Sequence, residues 1–394
     1  MATPLVTGNN GSALVDNVQE IIRASANHDI RALERCIDHY SFPDCKAVDV
    51  QDSVTGFSPL HAAISTCVTQ VNGDADHPVH SEESGVRFLK FLLENGAIWN
   101  QLDKNDETPG CIAYRLGLHD LYQIMVDAGV RAEMVLNRLE GYERLHGGED
   151  GEDVHGAEGS HGQDNSEANG LQEHVSSSVY LSSALSVGDN RLLDEQQNGV
   201  MMAWESDIML RSANALLPEP GLKILNIGFG MGIIDTHIQN HANKPASHHI
   251  VEAHPDVLSN MERNGWMEKS NVVAHRGKWQ TVLPQLIAEG EAFDAIYFDT
   301  FAESYGTFRD FFSEQVISLL NQNGRWSFFN GMGADRQVSY DVYQKVVEFD
   351  LFESDFDVEW ETVELPDLTR EWQGVRRKYW NIDHYRLPIC KFMD

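Results

Sequence analysis

Lys223–Asp235 reads KILNIGFGMGIID, and this stretch decides the fold. Ile224, Leu225 and Ile227 make a short apolar run of the length expected for a strand buried on both faces. Gly228, Gly230 and Gly232 follow at once, and apolar residues then resume at helical spacing through His237 and Asn240. The pattern predicts strand, tight turn, helix. Glycines at such a turn let backbone N–H groups approach a ligand, and the helix dipole there favours a polar or anionic group.

A lone glycine turn is also a plain βα connection, so its neighbours matter. Ile233 stands where a dinucleotide fingerprint wants its last glycine, which weakens a nicotinamide reading. The next apolar strand, around His249–Val251, ends in Glu252, where an acid would hydrogen-bond a ribose diol. Turn and acid together fit an adenosine-bearing ligand without requiring pyrophosphate. S-adenosylmethionine is such a ligand.

Working outward, further strands are expected near 248–252, 271–275, 293–299 and 325–330, separated by helical patterns at Met231–Ala242, Pro255–Glu268, Trp279–Ala288 and Phe308–Gln322. Five strands alternating with helices imply a parallel, doubly wound α/β sheet with ligands at the strands' carboxyl ends. After a helix around Tyr340–Phe349, the stretches Val358–Leu365 and Val375–Leu387 read as an antiparallel hairpin completing the sheet. That is the outline of the class I methyltransferase fold. Asp299, ending the fourth strand, can face substrate or cofactor, or simply cap the next helix. VMMAWESDIM (200–209) reads as a helix ahead of the first strand, with Glu205 either at the sheet's mouth or a solvated helix acid.

The chain before this region has another character. TGFSPLHAAI (55–64) carries the G-x-[ST]-P-L-H-x-A pattern of an ankyrin repeat, with Pro59 opening a helix and His61 bracing the turn. Thr108 and Pro109 repeat the plan fifty positions after Pro59, so an insertion is expected in the polar stretch Thr69–Glu83. Residues 1–145 are thus expected to form an all-α, ankyrin-like domain, 146–178 an acidic linker without a fold, and 179–394 the methyltransferase domain. Histidines 146, 155, 161 and 174 in the linker are too irregularly spaced for a metal site.

The 394 residues carry 61 acids against 29 Lys and Arg, a formal charge of −32. Such a surface disfavours nucleic acid and anionic membranes as direct partners and favours a basic protein. Five cysteines without zinc or disulfide spacing, and no signal-like or bilayer-length apolar run, predict a soluble protein of the cytoplasm or nucleus with no metal.

VMMAWESDIM, LNIGFGMGIID, IVEAHPDVL, GKWQ and FDAIYFDTF, in that order, resemble the guanidinoacetate methyltransferase group. With the repeat-like front and acidic linker, the whole chain resembles the fungal type IV protein arginine methyltransferases, which modify the internal δ-nitrogen of arginine. The resemblance implies that Glu205 beside Trp204 and Asp299 hold the guanidinium, with Asp299 also next to the cofactor's methyl. It gives the methionine part of S-adenosylmethionine to the turn Gly228, Phe229, Gly230, Met231, Gly232, Ile233 and Ile234. Glu252, Ala253 and His254 would take the ribose and Trp279 with Gln280 border the adenine, while Tyr180 and Met209 close the pocket. A ribosomal protein is the implied substrate. The double-glutamate loop of terminal-nitrogen methyltransferases is absent, for DTFAESYGTF follows strand four with the single Glu303. Two other readings stay open: a methyltransferase for a small guanidino compound, and a non-catalytic ankyrin scaffold.

Overall fold

The computed structural model describes residues 10–42, 45–68, 80–146, 177–188 and 190–393. The expected linker lies outside them, apart from its ends, as do residues 69–79 of the expected insertion. The described chain forms two compact units, one built on residues up to Arg138 and one on residues from Ser177 onward.

The first unit is mostly helical: α1 (Asn10–Ala26), α2 (Ile30–His39), α3 (Pro59–Ser65), α4 (Glu82–Glu94), α5 (Pro109–Arg115) and the long α6 (His119–His146). It is not purely helical, because β1 (Cys67–Val68) and β2 (His80–Ser81) pair in parallel across residues 69–79. Ser58 and Thr108 precede α3 and α5, and a proline opens each helix, where its missing N–H costs nothing. The turn is braced by His61. Its Nδ1 accepts the Ser58 N–H at 3.1 Å, and its Nε2 donates to the Glu107 carbonyl at 3.0 Å. Asp52 and Asp103 fold equivalent loops before the two helices by accepting backbone N–H groups of Val54 and Thr55, and of Asn105 and Glu107.

The second unit begins with α7 (Ser177–Ser182) and a small antiparallel sheet of β3 (Ser186–Val187), β4 (Arg191–Leu193) and β5 (Gly199–Met202). Val200–Met202 is therefore extended, not helical. Only after a 3-10 turn at Ala203–Glu205 does α8 (Ser206–Leu216) begin. There follow β6 (Lys223–Ile227), α9 (Ile233–Asn240), β7 (Ser247–Glu252), α10 (Pro255–Arg263), β8 (Val272–Arg276), α11 (Trp279–Ala288) and β9 (Phe293–Phe298). The chain continues through α12 (Tyr305–Asp310), a π turn, α13 (Ile317–Leu319), β10 (Leu320–Phe328), α14 (Gln337–Glu353), β11 (Phe356–Glu364) and β12 (His384–Phe392).

The sheet order is β8-β7-β6-β9-β10-β12-β11, with the first five strands parallel, β12 antiparallel to both its neighbours, and β11 running in the direction of the first five. The chain thus reverses direction between β6 and β9, and at that switch point the carboxyl ends of neighbouring strands open a crevice. The closing hairpin is wider than expected: its second strand starts at His384, and residues 366–383 form turns instead. Ile224, Leu225, Ile227, Ile296 and Tyr297 are all but inaccessible, as continuous apolar strands under helices on both faces must be.

Candidate active site at the sheet switch point

A cavity of about 350 Å³ opens over the carboxyl ends of β6, β7 and β9. Its floor is backbone. Gly228 (φ +91°), Gly230 (+54°) and Gly232 (+70°) all adopt the left-handed region that side chains disfavour. At Gly228 the requirement is absolute, because a Cβ there would lie 1.9 Å from the Asp299 carbonyl oxygen. The Gly228 N–H bonds to Val251 O and the Asp299 N–H to Ile227 O, both at 2.9 Å, so this seam is laced on either side.

Glu252 holds the turn from below. Its Oε2 accepts the N–H groups of Phe229 (2.9 Å) and Gly230 (3.4 Å), and its Oε1 those of Ala253 (2.7 Å) and His254 (2.6 Å). Burial raises its pKa, and these four donors act in the opposite direction. The side chain lines the cavity while bracing its floor.

Glu205 and Asp299 reach the same cavity from different elements. Glu205 is only 2% exposed, so it is no solvated helix acid. Its Oε1 accepts the Met202 N–H at 2.9 Å and the Tyr379 hydroxyl. Asp299 caps no helix: Ser304 accepts the Thr307 N–H to cap α12, and Asp299 Oδ2 is shut from solvent without a partner. Burial first, then the charge of Asp299, pushes the Glu205 carboxyl upward. Burial first, then the charge of Asp235, does the same for Asp299. Asp235 is itself buried behind the turn, where it accepts from Asn226 Nδ2 at 2.8 Å and lies 3.1 Å from His248 Nε2.

The remaining expected residues divide. Tyr180, Gly228, Gly230, Ala253, Trp279 and Gln280 line the cavity. The Trp279 indole donates to Glu303 Oε1 at 3.2 Å, which adds Glu303 to the wall. Phe229, Met231, Gly232, Ile233, Ile234, His254 and Met209 do not line it. Phe229 packs with Ile250, Val257 and Trp266, while Ile234 and Met209 are core residues with Met231 and Ile233 packed against them. His254 is a latch: its Nε2 donates to the carbonyls of Tyr180 and Ser183 at 3.1 Å, and its ring lies 4.9 Å from that of Tyr180, tying α7 over the strands.

Met201 takes the position expected of Met209. It lines the cavity, and its sulfur accepts the Met231 N–H at 3.2 Å. Tyr379 and the stretch Phe328–Met332 at the end of β10 are also wall residues that sequence reasoning missed. The available signal for the first was the aromatic density of Trp372, Tyr379, Trp380 and Tyr385. The cavity therefore has a glycine-lined floor suited to an adenosine-bearing ligand, and two carboxylates with spare acceptor capacity suited to a planar cation.

A family model described as guanidinoacetate N-methyltransferase matches residues 184–350. A protein arginine N-methyltransferase 2 of Aspergillus fumigatus is 54% identical, with 100% of each chain covered. One of Emericella nidulans is 53% identical, covering 96% of this chain and 97% of the relative. Among solved structures, Aeropyrum pernix fibrillarin in complex with natively bound S-adenosyl-L-methionine is 12% identical over 52% of this chain and 97% of its own, with a TM-score of 0.34.

Proposed function

This chain belongs to the protein arginine N-methyltransferase 2 family, and from that membership we propose that it monomethylates the internal δ-nitrogen of an arginine in a basic protein, a ribosomal protein in the first instance. It is an S-adenosylmethionine-dependent arginine methyltransferase. The observation that carries the finer reading is the pair Glu205 and Asp299, each with a carboxylate oxygen free of protein donors, in one cavity over the glycine turn.

The residues present fit the cofactor. Gly228 is a cradle that a Cβ would fill, and Asp299 Oδ2 is an orphaned buried acceptor beside it. Gly228 and Gly230 would hold the methionine part, Glu252 and Ala253 the ribose, and Trp279 with Gln280 and Glu303 the base. At Glu252, the 3.4 Å bond from Gly230 is the weakest of four and the one a hydroxyl can replace. When bound, S-adenosylmethionine supplies an electrophilic methyl group on a sulfonium.

The chain's own part is alignment and charge. An arginine is always protonated and its charge is spread over three nitrogens, so the attacking nitrogen has little lone-pair density. Glu205 Oε2 and Asp299, accepting from the other nitrogens, orient the planar group and draw positive charge toward themselves. Bringing a cation between two carboxylates whose pKa values are raised also drives off the protons they hold. The wall of Tyr180, Phe301, Trp279 and Tyr379 keeps water away.

The first unit reads as degenerate ankyrin repeats that dock the substrate. The matched Asp52 and Asp103 loops, and the cross-loop bond from Lys104 N–H to Thr55 O at 3.0 Å, support this. The net charge of −32 supports a basic protein partner over nucleic acid or membrane, and five cysteines without disulfide spacing support a cytoplasmic or nuclear setting. The test is mass spectrometry of products, with S-adenosylmethionine and, in parallel, guanidinoacetate, free arginine and basic ribosomal proteins. A single methyl on the δ-nitrogen of a protein arginine is expected. Methylation of guanidinoacetate alone would overturn the reading.

A further inference from the structure

Tyr379 lies in the stretch 366–383 between β11 and β12, beyond the residues 184–350 that match the guanidinoacetate N-methyltransferase model. It nevertheless lines the cavity. Its hydroxyl donates to Glu205 Oε1, the same oxygen that accepts the Met202 N–H. Two donors on one oxygen clamp the carboxylate and leave Oε2 without a bond inside the protein. The tyrosine ring is fixed in turn. It stacks on Trp204 at 6.2 Å between centroids and meets Trp372 edge-on at 4.9 Å. A Cβ on Gly199 would come within 3.1 Å of its Cε1.

We infer that Tyr379 is a positioning residue for the methyl acceptor, holding Glu205 turned so that Oε2 receives the guanidinium. The inference rests on the reading of Glu205 as a guanidinium ligand. The titratable groups facing Glu205 are Asp299 after β9, Tyr297 within β9, Tyr385 on β12 and Tyr379 itself, none of them a cation. Burial and Asp299 both favour the protonated acid. Only the Tyr379 hydroxyl and the Met202 N–H favour the carboxylate, so Tyr379→Phe removes one of two opposing influences while keeping the ring.

The test uses the full chain loaded with S-adenosylhomocysteine, titrated calorimetrically with N-acetyl-arginine methylamide. In Tyr379→Phe the arginine compound should bind about tenfold or more weakly at about pH 7, the deficit should shrink toward about pH 9, and S-adenosylhomocysteine should bind as in the wild type. Equal binding by variant and wild type overturns the role of Tyr379. So does a deficit that is the same at both pH values, since a packing defect does not titrate, and so does a joint loss of both ligands. A wild type that binds no arginine compound at either pH overturns instead the reading of Glu205 on which the inference rests.

Discussion

Alanine at Gly228 should damage the protein far more than alanine at another left-handed glycine, and the difference can be worked out from the backbone. The residue sits at φ +91°, and its Cβ would lie 1.9 Å from Asp299 O and 2.8 Å from Asp299 C. The left-handed conformation costs an L residue roughly 1–2 kcal/mol. The overlap comes on top of that, and no rotamer relieves it, because both atoms are main chain. The end of β9 has to move, loosening the buried 2.9 Å bond from Asp299 N–H to Ile227 O, worth roughly a further 1–3 kcal/mol. The sum, roughly 2–5 kcal/mol, corresponds to a melting temperature lower by roughly 5–15 °C for a unit of this size. Gly290 is the control: at φ +78° with nothing within 4 Å of its Cβ, it bears the conformational cost alone. Melting of the two alanine variants by calorimetry, with titration of S-adenosylmethionine, separates the terms. A Gly228→Ala protein that melts no lower than Gly290→Ala and binds the cofactor normally would refute the claim that this contact constrains the site.

Asp299→Asn keeps the shape but not the charge beside the turn, and should lower single-turnover methylation by at least about a hundredfold with folding intact; near-normal turnover would remove Asp299 from the chemistry. Glu252→Gln must present an amide NH₂ to backbone donors at one end. Cofactor affinity should then fall about tenfold and urea stability by about 1–3 kcal/mol, and unchanged values would deny Glu252 its bracing role. For pH, the raised carboxyls of Glu205 and Asp299 fix two signs. The cation-accepting form is ionised, so kcat/KM should fall as pH drops through neutrality, not only near about 4 as for free carboxyls. Stability runs the other way: the contribution of a raised carboxyl is full below its ordinary value and lost as pH rises through the raised one. Urea unfolding of wild type against Glu205→Gln should show this, and pH-independent kcat/KM across neutrality would sink the argument.

The parallel core was legible because strands buried on both faces are continuous apolar runs, and KILNI changes to helical spacing across three glycines. Chain ends of strands were less so. The helical pattern is expected to run to Gln322 and the strand to cover 325–330, yet β10 already starts at Leu320, ends at Phe328 and carries a register shift between Leu320 and Arg325. Of the expected strand Val375–Leu387, only His384–Leu387 lies in β12. Trp372, Tyr379 and Trp380 are spent on packing around Trp204. Val200–Met202 is too short for period alone to separate strand from helix; Met209, placed at the pocket by the resemblance, lies in the core, and Met201 lines the cavity. Glu205 and Asp299 could be found as acids near the sheet's mouth. Their shared cavity, and the hydroxyl from a residue 174 positions away, exist only in three dimensions.

The place of β12 inside the sheet, between β10 and β11, has a consequence for the order in which the protein can be completed. A ribosome delivers β11 before β12, so β11 emerges with no neighbour to zip against, and the stretch 366–383 hangs from it unanchored. Only when His384–Phe392 has left the exit tunnel can both edges close and draw Tyr379 to Glu205. The hydroxyl that steadies Glu205 is therefore among the last contacts the sheet can make, after the strands that carry the glycine turn and Asp299.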